Sequence, residues 1–94
     1  MVASSLLDAF DQTIAAVRRL EAQGLRTAAG SSGGQELARL LEELLARRAE
    51  LVAGAPFDRA WAGRTVRWVA EWLPDGELPL LARLGRIARA GGGG

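Results

Sequence analysis

Residues 57–73 read FDRAWAGRTVRWVAEWL, and the spacing of the large side chains in that stretch decides the fold. At about 100° per residue, Phe57, Trp61, Trp68 and Trp72 fall within an arc of roughly 60°. Thr65, Val66, Val69 and Leu73 widen that arc to about half the helix surface, and Arg59, Arg64, Arg67 and Glu71 take the other half. Val66 to Leu73 taken alone tolerates a buried strand, but continuity with Phe57 and Trp61 at helical spacing removes that reading. Pro56 suits a first helical position, Asp58 then falls in the positive first turn, and Pro74-Asp75-Gly76 spells the turn that ends the segment. An amphipathic helix over 56–73 is expected.

Three more helices follow on working outward. Leu37, Leu40, Leu41, Leu44, Leu45, Leu51 and Val52 form a broad apolar face over 34–53, with Glu43 and Arg47 placed as an i,i+4 pair outside it and Gly54 as the stop. Ser32 and Gln35 stand in capping-box relation at its start. Before it, Leu25 to Gly34 loses periodicity and gathers glycine and serine, which reads as a flexible connection. The first helix is expected over 5–23, from a Ser5–Asp8 capping box through Leu6, Phe10, Ile14, Val17 and Leu20 to Gly24. The last is expected over 78–90, with Pro79 near its start and Leu80, Leu81, Leu84 and Ile87 facing inward. These segments predict an all-α, four-helix bundle spanning 1–90 as a single domain, followed by a flexible Gly tail over 91–94.

Composition then limits function. The 94 residues include no His, Cys, Lys, Tyr or Asn, so the common general bases, nucleophiles and soft metal ligands are missing. Ser4, Ser5, Ser31 and Ser32 have no activator other than a carboxylate, and they read as caps and linker residues. Glu36, Glu42 and Glu43 lie beside basic neighbours, and Asp8 and Asp11 suit a helix start, so neither set reads as a metal site. Gly30 to Gly34 lacks the Gly-Lys-Ser/Thr ending and the preceding strand of a phosphate-binding loop. No enzyme, cofactor or metal is expected. All twelve basic residues are Arg, set against eleven acids for a net charge of +1, so no global pull toward nucleic acid or membrane follows. The Ala, Leu, Gly, Arg and Glu vocabulary suggests a GC-rich bacterial genome. No apolar run approaches the roughly 20 residues that span a bilayer, and no leader pattern is visible, so a cytoplasmic location is expected.

What remains is a binding role. Three indoles, each able to bury on the order of 150–250 Å², are hard to enclose in so small a bundle, and Trp with Arg is the usual chemistry of interface hot spots. The expected function is a non-catalytic protein-interaction module, an adaptor, assembly or regulatory subunit that binds another protein or itself through Trp61, Arg64, Trp68 and Trp72, with Arg64 stacking on an indole. The alternative is a small helical subunit of a nucleic-acid or ribonucleoprotein complex, meeting phosphates through Arg83, Arg86 and Arg89, with Arg64 and Arg67 in support. Peripheral membrane attachment ranks below both.

Two resemblances bear on these readings. Trp61-Ala62-Gly63 matches the Trp-x-Gly signature of small secreted helical hairpins; there the motif forms the turn between helices, whereas here it lies inside one, and the tyrosine of the export motif is missing. Gly34-Gln35 followed by Leu37-Ala38 and Leu41, with Trp72-Leu73 later, resembles the glycine-glutamine-leucine stretch and tryptophan-leucine ending of small helical subunits in RNA-guided type III CRISPR complexes. That resemblance covers a handful of residues, and the segment before the glycine is not matched. It implies the second reading, a subunit lining a ribonucleoprotein.

Overall fold

A computed structural model describes residues 2–92, with side chains described over 5–91. Four helices run α1 (Val2–Gln23), α2 (Gly34–Val52), α3 (Arg59–Trp72) and α4 (Leu78–Gly92), with a 3-10 turn at Asp75–Glu77 leading into α4. The all-α bundle expected from periodicity is the fold, and its longest dimension is 39 Å. No strand occurs among the described residues; one isolated antiparallel bridge joins Arg26 and Ser32. No helix among them is long and apolar enough to cross a membrane.

The expected faces make the core. Leu6, Phe10, Ile14, Val17 and Leu20 of α1 meet Leu37, Leu40 and Leu44 of α2, Trp61, Val69 and Trp72 of α3, and Leu80, Leu84 and Ile87 of α4, all buried. Buried Thr13 returns its hydroxyl to the Ala9 carbonyl at 2.7 Å, so no polar group is stranded on that face. The leucine face of α2 is broader than the core can cover: Leu45 and Val52 are exposed.

The four helices do not close evenly. Backbones come together along α1–α2, α1–α4 and α3–α4, but no Cα of α2 lies within 8 Å of a Cα of α3 among the described residues. The cause is side-chain size. Ordinary helix pairs pack with axes about 8–10 Å apart, and the stripe that α3 turns toward this seam is built of tryptophan. The seam is wedged open by the very residues whose spacing defines the helix.

Local chemistry moves several expected boundaries. Helix α3 starts at Arg59 because the Asp58 carboxylate caps it, accepting the Trp61 amide at 2.9 Å. Pro56 and Phe57 therefore precede the helix, and the Phe57 ring meets Phe10 edge-on at 6.4 Å. Helix α1 begins at Val2, so Ser5 lies inside it and the Ser5–Asp8 cap is not formed. At α2 the N-cap is Gly33, and Ser32 accepts from the Gly34 amide at 3.3 Å instead of pairing with Gln35. Gly33 is held there by its own amide, which donates to the Leu25 carbonyl at 2.8 Å; a Cβ would approach that oxygen to 3.0 Å.

The segment between α1 and α2 is not the flexible connection its composition suggests. Thr27 is buried, its amide donates to Ser31 O at 2.8 Å, and its hydroxyl bonds that of Ser31 at 2.8 Å. The Ala28 amide reaches the Trp72 carbonyl at 2.8 Å, which docks the loop on the end of α3. The expected Gly tail is also corrected in part: Gly91 and Gly92 belong to α4, and 93–94 lie outside the described residues. Gly91 is where α4 passes the Phe57 ring, and any Cβ there would overlap it.

Candidate functional site

The open α2–α3 seam forms a groove of about 360 Å³. From α3 come Trp61, Arg64, Thr65 and Trp68; from α2 come Arg39, Glu43 and Arg47. The three α2 residues recur every fourth position, so one helix face presents cation, anion and cation in a row. Each has a defined partner. Arg39 Nε donates to Glu43 Oε2 at 3.1 Å, and the other carboxylate oxygen, Oε1, accepts the Trp61 indole N–H at 2.9 Å. Arg47 donates to both carboxylate oxygens of Glu50 at 3.0 and 3.2 Å, not to Glu43 as the i,i+4 spacing suggested. Glu43 is turned away from Arg47 by the indole it serves.

The aromatic part is layered. Trp61 is buried and stacks on Phe10, with centroids 6.0 Å apart and planes 11° from parallel. Trp68 is half-buried and meets buried Trp72 edge-on at 5.3 Å and 69°. Arginines cover the outer faces: the Arg39 guanidinium sits 5.2 Å from the Trp68 ring centre, and that of Arg47 5.9 Å from Trp61. The expected stacking partner was Arg64; the two guanidinium groups over the indoles come instead from α2. Arg64 instead stands exposed on the α3 rim with no ion pair among the described residues.

Three of the four residues expected to bind a partner, Trp61, Arg64 and Trp68, thus line the groove, and Trp72 closes its far end beside Trp68. The α2 contribution of Arg39, Glu43 and Arg47 was missed, although the 39/43/47 spacing on the polar side of α2 was visible. What was lacking was the knowledge that the seam stays open. Elsewhere, Arg86 and Arg89 are exposed on α4, and Arg83 is half-buried in a hollow with Arg19 and Glu77. Asp11 takes Arg48 at 2.6 Å and ties α1 to α2; that hydrogen bond, with the charge of Asp11, holds the guanidinium above its ordinary pKa. Among the described residues no three acidic side chains gather as a metal site would require.

An apolar hollow of about 390 Å³ lies at the bundle end where Leu6, Leu7, Leu51 and Phe57 surround Gly91. No family model, curated protein or solved structure matches the chain.

Proposed function

We propose that this chain is a non-catalytic helical interaction module, an adaptor, assembly or regulatory subunit of the bacterial cytoplasm, whose partner-binding surface is the α2–α3 groove. One observation carries the reading: the fold leaves this seam open and lines it with indoles and arginines, the side chains that dominate binding energy at protein interfaces. The reading is non-catalytic because a chain without His, Cys, Lys or Tyr has few groups able to move a proton near neutral pH. Leu45 and Val52, exposed on α2 and seven residues apart, offer a small apolar strip for self-association.

A photo-crosslinking side chain placed at Arg64, compared with one at Ala82 on the exposed side of α4, tests the proposal in cells. Protein adducts confined to position 64 support it; equal labelling from both positions would overturn it. The second reading, a subunit contacting phosphates, keeps exposed Arg86 and Arg89 in its favour. RNA adducts from position 86 would select it.

A further inference from the structure

Among the described residues the helices pack in the order α2, α1, α4, α3, an arc whose two ends face each other across the seam. Only one backbone hydrogen bond among those residues joins the α1–α2 half to the α3–α4 half, from the Ala28 amide to the Trp72 carbonyl at 2.8 Å. It ties the loop before α2 to the last residue of α3. At the opposite end the chain itself makes the join, through the connector 53–58, where Ala53 to Pro56 are exposed and Gly54 takes φ +95°. The seam thus has a covalent hinge at one end and a single main-chain latch at the other.

Closure along this line leaves polar groups unmet. The described side-chain polar atoms that are shielded from solvent without a hydrogen-bond partner are Glu36 Oε1, Arg47 Nε and Trp72 Nε1, and all three belong to residues lining the seam. Glu36 and Trp72 stand at the latch end beside a hollow of about 240 Å³, yet these two atoms are closed to it. Water reaches them only if the helices part. Polar groups buried in this way disfavour the closed form relative to one that hydrates them. The movement required is small: a turn of about 8° over the length of α3, about 21 Å, displaces its end by about 3 Å, the width of a water.

We infer that the α2–α3 seam is a gate, which turns on the 53–58 connector, opens at its Trp72 end and is held shut by the Ala28–Trp72 bond. Shear at the packed α1–α2, α1–α4 and α3–α4 faces absorbs the rotation, and none of them has to separate. Nearer the hinge, the bond from Trp61 to Glu43 stays made, so the opening is local. With the gate open, Trp72, only 9% exposed when it is shut, joins Trp68 on the groove wall. The gate belongs to the fold and does not depend on what the groove binds.

Hydrogen exchange of the three indole N–H groups, followed by nitrogen-15 NMR on the intact chain, tests the gate. Trp72 Nε1–H should exchange about tenfold faster than Trp61 Nε1–H, at a rate that urea below the unfolding transition leaves unchanged. Ala28 is the second residue of the turn that Gly30 N closes on Thr27 O at 2.9 Å, a position that accepts proline, so Ala28→Pro removes the latch donor and keeps the turn. It should speed Trp72 exchange about tenfold with helix content by circular dichroism unchanged. Glu36→Met removes a group that only the open form hydrates; it should slow Trp72 exchange about threefold or more, and it decides the matter where the proline variant folds poorly. A Trp72 rate with the same urea dependence as that of Trp61, one that does not fall in Glu36→Met, or one unmoved in a folded Ala28→Pro would each overturn the inference.

Discussion

The indole N–H of Trp61 donates to Glu43 Oε1 at 2.9 Å, across a seam in which the two helix backbones come no closer than 8 Å between Cα atoms. Trp61 also stacks on Phe10 of α1, so one side chain links three helices. Glu43→Ala removes the acceptor and leaves a buried indole donor unmet, and a loss of about 1–2 kcal/mol is expected in urea unfolding. Glu43→Gln keeps an oxygen in reach and should lose less than half as much. Equal losses would show that the bond contributes nothing.

Phe10 is fully buried between the Trp61 and Phe57 rings, and its removal tests whether that aromatic cluster is the centre of the core. Phe10→Ala should destabilise by about 3–5 kcal/mol, a large part of the stability of so short a chain. Leu45→Ala, at a position 41% exposed, should change stability by no more than about 0.5 kcal/mol. Chemical denaturation of the two variants side by side measures both, and comparable losses would place the core elsewhere.

Periodicity was enough for the bundle because Phe10, Ile14, Val17, Leu37, Leu40, Leu44, Leu84 and Ile87 have no polar function to satisfy, so their burial follows from spacing alone. Cap positions were harder. At Asp58 the side chain competes for the first-turn amides, and it moved the start of α3 past Pro56 to Arg59. The loop after α1 was misread since its order comes from distant partners, above all the Trp72 carbonyl, which composition cannot reveal. The candidate site was half legible for the same reason. Trp61, Arg64 and Trp68 share a helix and could be grouped by angle, but Arg39 and Arg47 join them only through an interhelical gap set by three-dimensional packing.

Glycine substitutions should split by backbone geometry. Gly63 lies within α3 with open space around its Cβ position, and Gly63→Ala should stabilise by about 0.5–1 kcal/mol through helix propensity. Gly54, beyond the end of α2, has φ +95° and equally open space, so Gly54→Ala should destabilise by about 1 kcal/mol through backbone strain alone. Thermal melts of the pair that move in the same direction would contradict the assigned helix ends.

Gly91 tests the last turn of α4 by sterics instead. The Cβ of Gly91→Ala would overlap the Phe57 ring, which must swing away from Phe10 or push α4 outward. A loss of about 1–3 kcal/mol is expected, the range for overpacking a well-filled site. Phe57→Leu in the same chain removes the ring that causes the clash, so the double variant should lose less than the sum of the two single changes. Strict additivity would mean that the two residues do not touch, and that the end of α4 does not pass over Phe57.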